Sequence, residues 1–317
     1  MSECTIEKAA EIIRNGGLVA FPTETVYGLG ADAFNPEAVA RIFIEKERPS
    51  FDPLIVHICN LGDLYLLGRH VDDRLLLLAK TFWPGPLTIV VPKSIAVPDI
   101  VTSGLPTVAI RMPDNHVALK LIEASGRPIA APSANKFGRL SPTTAQHVRK
   151  QLPNIGCILN DGNTTVGIES TVIALNVQGF EILRNGVITR EDIEKVVPYA
   201  KGSNSDNTLL ASPGLLKSHY SPVKPFYILG EYTPGDIDKN KAGFISFTEN
   251  NHHGYKVVAY LSRKSDLKEA AVNLFEAMHR LEDADVDFII AEPVPEQGIG
   301  IAIMDRLRKA AYKYIED

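Results

Sequence analysis

The stretch Phe21-Pro22-Thr23-Glu24-Thr25-Val26-Tyr27-Gly28-Leu29-Gly30 follows an amphipathic helix and a short apolar strand, Leu18-Val19-Ala20. It places two hydroxyls and a phenol within five residues, as a site for a small polar substrate needs. Gly28 and Gly30 read as points where the backbone turns sharply or approaches a ligand closely. Taken alone, the segment fits an ordinary polar turn as well.

Outward from this stretch, apolar periodicity alternates between helix-like and strand-like segments, which predicts a mixed α/β architecture. Residues 5–15 read as a helix stopped by Gly16-Gly17. Asn35-Pro36 forms an N-cap and N1 pair, with Val39, Ile42 and Phe43 following at helical spacing. Strands are expected at 54–59, 87–91, 107–112, 128–131, 157–160, 171–175 and 180–184. Helices are expected at 71–82, 116–125, 143–151 and 190–197. Residues 201–224 are rich in Gly, Ser, Asn and Pro and read as a linker with little core of its own. Beyond it, strands near 225–229, 243–247, 256–261 and 287–291 alternate with helices at 266–283, capped by Ser265, and 299–315. The expected organisation is a first domain over 1–200, a linker over 201–224 and a smaller α/β domain over 225–317.

Composition narrows the function classes. The 317 residues are 45% hydrophobic and 22% charged, with a net charge of −5. This is ordinary globular composition, without the basic balance of a dedicated nucleic-acid binder. No apolar run approaches a membrane span, and the N-terminus lacks a signal-peptide pattern. Cys4, Cys59 and Cys157 are far apart and form no CxxC. Neither a disulfide framework nor a cysteine zinc site is expected, and a reducing cytoplasm fits. There is no GxxxxGK[ST] loop, HExxH or GxSxG, and Gly298-Ile299-Gly300 does not complete a dinucleotide fingerprint.

Several runs carry chemistry-bearing side chains. Lys46-Glu47-Arg48-Pro49 sets two cations at or beyond a helix end, since proline disfavours helix at Arg48. These could grip phosphates or simply complement the helix dipole. His57 lies in an apolar strand, where a satisfied core histidine is the commoner outcome. Arg111 ends a strand and needs either an internal carboxylate or a ligand carboxylate. The run from Ala130 to Thr143 leaves a strand with small, hydroxyl, amide and basic residues, which suit an anion or a plain capped loop. Glu169-Ser170-Thr171, Arg184 and Ser218-His219-Tyr220 complete the set.

Together these runs resemble the YrdC-like family of threonylcarbamoyl-AMP synthases in its longer, two-domain form. The resemblance is carried by PTETVYGLG (22–30), KERP with PLIVHI (46–58), WPGPLT (83–88), TVAIR (107–111), APSANKFGRLSPT (131–143), ESTV (169–172), ILRNG (182–186), PGLLKSHYSP (213–222) and AIMDRLRKAA (302–311), in order. It implies a twisted open-sheet domain with a concave positive cavity, followed by a smaller Rossmann-like domain. It also implies a reaction joining L-threonine, bicarbonate or CO2, and ATP into threonylcarbamoyl-AMP and pyrophosphate. The product serves tRNA threonylcarbamoyladenosine synthesis beside the anticodon through a separate tRNA threonylcarbamoyl transferase complex. Weak direct tRNA contact fits the same scheme.

By carry-over, Thr23, His57, Arg111, Ala131 and Ser170 would hold threonine. Lys46, Arg48, Ser50, Thr107, Ser133, Asn135, Ser141, Arg184 and Tyr220 would hold ATP. Lys46 and Arg48 would act in catalysis by offsetting charge on the leaving pyrophosphate. Mg2+ would arrive on the phosphates, with no metal-ligating residues implied, and Tyr220 would close as a lid. Asn185 stands where the family usually has proline, Phe137 where a small residue is usual, and Leu215-Leu216 where Met-Lys is commoner. A non-catalytic RNA-binding module is the alternative from another class. A zinc-containing carbamoyl-transfer maturation factor is disfavoured by the isolated cysteines and the length.

Overall fold

The computed structural model describes residues 4–200, 220–231, 237–249 and 254–314. Most of the expected linker, including Leu215, Leu216, Ser218 and His219, lies outside the described residues.

Eight strands form one mixed sheet: β1 (Val19–Phe21), β2 (Gly28–Asp32), β3 (Ile55–His57), β4 (Leu87–Pro92), β5 (Thr107–Arg111), β6 (Ile129–Ala131), β7 (Thr171–Asn176) and β8 (Gly179–Arg184). The spatial order is β1-β2-β6-β3-β5-β4-β7-β8. The β3/β5 and β4/β7 pairs are parallel and the others antiparallel. The helices are α1 (Ile6–Arg14), α2 (Pro36–Lys46), α3 (Asp63–Leu67), α4 (Asp73–Phe82), α5 (Asp99–Thr102), α6 (His116–Ser125), α7 (Ala145–Gln151) and α8 (Arg190–Glu194). The Asn35 side chain caps α2 by accepting from the amides of Glu37 and Ala38, with Pro36 at the first turn. The same helix ends at Glu47 in a left-handed conformation, φ 54°, which turns the chain before Pro49.

Alternation along the strands divides the sheet into two faces. Val56, Ile89, Ile110 and Ile173 enter the main core with Ile42 of α2 and Leu75 and Leu78 of α4. Ile55, Val90, Ala109 and Val172 form a small cluster on the other face. At one edge of that face, α1 and α6 pack Ile13, Leu121 and Ile122 on Phe21, Ile129 and Ala131. Toward the middle, Ile55 and Ala131 line a concavity instead of a helix.

The second unit is a parallel sheet ordered β11-β10-β12-β9, built from β9 (Phe226–Ile228), β10 (Ala242–Ser246), β11 (Val257–Tyr260) and β12 (Phe288–Ala291). Helix α9 (Leu267–Asp283) connects β11 to β12, and α10 (Ile299–Tyr312) follows β12. Its core holds Leu274, Phe275, Ile303 and Leu307, and continues into Val26, Leu140 and Ile168 of the first domain.

Several expectations are corrected. Gly28 and Gly30 belong to a strand, not a turn. A Cβ on Gly30 would lie 2.6 Å from Ile129 Cγ2 and 2.7 Å from the Phe21 ring, so glycine there lets a strand pass over an aromatic side chain. Residues 157–160 make one isolated bridge, Ala20 with Ile158, instead of a strand. The chain then turns so that Gly162 O accepts the Tyr27 hydroxyl at 2.8 Å. Asp266, not Ser265, caps α9, and Ser265 is left-handed at φ 59°. Cys4 and Cys157 are disulfide-bonded, against the expectation of isolated thiols, because α1 returns to the sheet edge beside residue 157. Tyr220, expected on a coreless linker, is fully buried between the two units.

Candidate active site

Register explains the centre of the site. His57 and Arg111 are partners at the ends of parallel strands β3 and β5, on the face of Ile55 and Ala131. Both are buried. Arg111 Nη2 lies 2.6 Å from Glu24 Oε1, Nη1 donates to Thr25 Oγ1 at 2.9 Å, and Nε donates to Gly85 O at 3.3 Å. The alternatives left open for Arg111 are therefore both relevant: an internal carboxylate holds it while it still faces the cavity. The Thr23 hydroxyl organises this turn by accepting from the amides of Thr25 and Val26, both at 3.2 Å. His57 stands edge-on to Phe21. Burial, aided by the charge of Arg111, pushes its pKa down to about 3, so the ring is neutral near pH 7.

A second group of cations approaches from the loops. Arg48 pairs with Asp52 at 2.9 Å and donates to the carbonyls of Asp52 and Pro53. Arg184 donates through Nε and Nη2 to Ser170 O, and through Nη2 to Ser170 Oγ at 3.0 Å. The Ser170 hydroxyl also lies 2.7 Å from that of Thr88. Glu169 receives the Ser141 hydroxyl at 2.6 Å on one oxygen and Arg306 Nε at 3.2 Å on the other. Burial would raise the pKa of Glu169, but Arg306, Arg184 and Ser141 outweigh it and hold the carboxyl below its ordinary range.

The structure gathers most, not all, of the expected residues. Thr23, His57, Arg111, Ala131 and Ser170 line one cavity, with Arg48, Ser133, Arg184 and Tyr220. Lys46, Asn135 and Ser141 are buried behind its wall. Lys46 Nζ donates to the carbonyls of Ser133 and Asn135, and burial with the nearby Arg48 charge depresses its pKa strongly. Asn135 Nδ2 closes the same loop on Lys136 O and Arg139 O. Ser50 is exposed on the turn after Pro49. Thr107 pairs with Pro92 at the opposite end of β5 from Arg111 and is not among the residues lining this cavity. Glu24, Thr25, Asp52, Thr88, Glu169 and Arg306 were assigned no binding role from the sequence. Buried arginines require counter-charges, and Glu24 and Glu169 stand inside the quoted runs.

Three guanidinium groups thus meet in a cavity with only ≈ 50 Å³ of space open to water. Asp52 and Glu24 pair with Arg48 and Arg111, and Ser170 receives Arg184; guanidinium groups in such a cavity suit carboxylate and phosphate oxygens. Among the described residues, no three His, Cys, Asp or Glu side chains gather as a metal site. No described helix is long and apolar enough to cross a membrane.

Residues 11–186 match the Sua5, YciO and YrdC family model, described as "Telomere recombination". Residues 188–312 match the model described as "Threonylcarbamoyl-AMP synthase, C-terminal domain". Threonylcarbamoyl-AMP synthase of Pyrococcus abyssi is 43% identical over all of this chain and 97% of its own length. The Bacillus subtilis protein of the same name is 43% identical, covering 96% of this chain and 92% of its own. A crystal structure of P. abyssi Sua5 complexed with L-threonine superposes with a TM-score of 0.85 at 42% identity, over 97% of this chain and 94% of that one. The shared sheet, the full-length identity and the second domain lead to one conclusion: this chain belongs to the Sua5/YciO/YrdC family, among its two-domain threonylcarbamoyl-AMP synthases.

Proposed function

We propose that this protein converts L-threonine, bicarbonate or CO2, and MgATP into threonylcarbamoyl-AMP and pyrophosphate, as a nucleotidyltransferase supplying tRNA threonylcarbamoyladenosine synthesis. The observation that carries this reading is the convergence of Arg48, Arg111 and Arg184 on one cavity beside a neutral histidine. The full-length likeness to a threonine-bound relative supports it.

Each step needs little more than positioning and charge. Arg111, preset by Glu24 and Thr25, binds the threonine carboxylate. Neutral His57 and the Ser170 hydroxyl face the amino-acid end, and neither repels an incoming ammonium. The threonine amine, once deprotonated, attacks CO2 to form a carbamate. A carbamate oxygen then attacks the α-phosphorus, and the α–β bridging oxygen leaves with pyrophosphate, so no enzyme nucleophile is consumed. Mg2+ comes with the ATP phosphates. Arg48 and Arg184 offset charge that develops on the phosphates. Lys46 acts from behind, by fixing the loop that presents Ser133.

Tyr220, buried at the cavity wall, would shield the labile carbamate from water by closing over the bound nucleotide. The product would pass to a separate tRNA threonylcarbamoyl transferase.

The direct test incubates the protein with MgATP, bicarbonate and L-threonine, following pyrophosphate and the adenylate by mass spectrometry. A product dependent on both threonine and bicarbonate supports the reading. Salt-sensitive RNA binding by folded protein that consumes no ATP would replace it with a binding role.

A further inference from the structure

No described residue beyond Tyr220 lines the cavity, yet α10 sends a fully buried arginine across the domain boundary. Arg306 Nε meets Glu169 Oε2 at 3.2 Å and Nη1 donates to Asn185 O at 2.6 Å. Its guanidinium carbon lies 5.7 Å from the centre of the Tyr220 ring. Within its own domain it touches Asp305 and Ala302 O. Its principal partners therefore belong to the first domain and to Tyr220, which lines the cavity.

Those partners lead to the nucleotide side of the site. Glu169 passes the contact to the Ser141 hydroxyl and itself lines the cavity. Asn185 follows Arg184, which reaches Ser170. Tyr220 lines the cavity and packs on Phe275 of α9. Mere adhesion of two domains does not require such a group. A buried ion pair is often no more stabilising than apolar side chains of similar volume, and Val26, Leu140 and Ile168 already provide an apolar contact.

We infer that Arg306 is a positioning residue for the nucleotide half of the site, acting through Glu169, Ser141 and Tyr220, and that the second domain sets nucleotide affinity through it. This rests on the proposed synthase reading. The backbone link at Asn185 is indifferent to the departure from proline there, since only the carbonyl is used.

The test uses the full chain and three variants: Arg306→Gln, Arg306→Lys and Glu169→Gln. KM for ATP and for threonine, ATP affinity by calorimetry, and the thermal midpoint are measured for each. Loss of a charge-assisted hydrogen bond predicts an ATP KM about tenfold higher in Arg306→Gln. The threonine KM should stay within about twofold and lysine should recover part of the loss. Glu169→Gln keeps the shape of the contact and remains informative if Arg306→Gln does not fold; it should raise the ATP KM about threefold. Unchanged ATP constants in folded Glu169→Gln and Arg306→Lys overturn the inference. So does a fall in kcat alone that follows the folded fraction. Wild-type protein that binds ATP but makes no adenylate overturns only the synthase reading, because ATP affinities across the variants still judge Arg306.

Discussion

The two sheets handle buried polar groups in opposite ways. In the first domain, His57, Arg111, Arg48 and Arg184 face a shared cavity, and each arginine is steadied by carboxylates, hydroxyls or carbonyls. In the second, a ligand would be expected outside the carboxyl ends of β10 and β12, where the strand order reverses. That place is filled by the chain's own Glu292, which accepts from Phe247 N at 2.7 Å, Thr248 N at 3.3 Å and Ser246 Oγ at 3.1 Å. A parallel sheet therefore does not imply a second nucleotide site. Donors that could bind an anion face a cavity in one domain and serve the fold in the other.

The largest effect that tests this contrast is at Arg111. Arg111→Ala should lower threonine-dependent turnover about a thousandfold by removing a bidentate charge contact. It should also cost roughly 3–5 kcal/mol, because Glu24 is left buried and unpaired. The double variant Glu24→Gln/Arg111→Gln should regain much of the stability and none of the activity. Recovery of turnover would break the assignment of Arg111 to threonine.

Next is the link holding α1 to the sheet. Cys4→Ser should lose about 2–4 kcal/mol under oxidising conditions, and reductant should abolish its difference from wild type. Equal denaturation curves without reductant would sink this prediction.

Glu292→Gln should cost about 1–3 kcal/mol by weakening charge-assisted hydrogen bonds. It should leave both substrate KM values unchanged. A new phosphate affinity at that crevice, seen by calorimetry, would show that the second domain retains an anion site.

The domain contact should respond to acid. His147 and His279 stack at 3.7 Å between α7 and α9. Glu276 lies 3.6 Å from His147, Lys150 and Asp283 face the pair, and His279 Nε2 meets Ser141 O. Burial, with the neighbouring imidazole for His147, lowers their pKa values to about 3 and about 4. The unfolded chain then binds more protons between pH ~6.5 and these values, so stability must fall as pH drops through that window. Thermal midpoints against pH should show this slope, and His279→Gln should flatten it. A midpoint that rises on acidification in wild type and not in the variant would reverse the sign.

Much of this was legible in the sequence for identifiable reasons. Helical spacing after Asn35-Pro36 places α2, and Pro49 places its end. Short, ordered runs place the family and most cavity residues. Gly30 was misread because only a neighbouring strand reveals the Phe21 ring beneath it. Thr107 and Arg111 are close in sequence, yet the strand sets them at its opposite ends. The Cys4–Cys157 bond spans 153 residues, a distance over which spacing carries no information about proximity.

What the sequence determined by itself was local: periodicity, caps, turn chemistry and the presence of cations and hydroxyls suited to anionic substrates. The tertiary structure decided which group answers each arginine, which cations face the cavity and which, like Lys46, brace its wall. It alone brought Arg306 to Glu169 across 137 positions. The physical reason is that backbone preferences and amphipathic patterns act between near neighbours. Charge pairing and burial depend on distances in space, and those exist only once the sheets have formed and the domains have met.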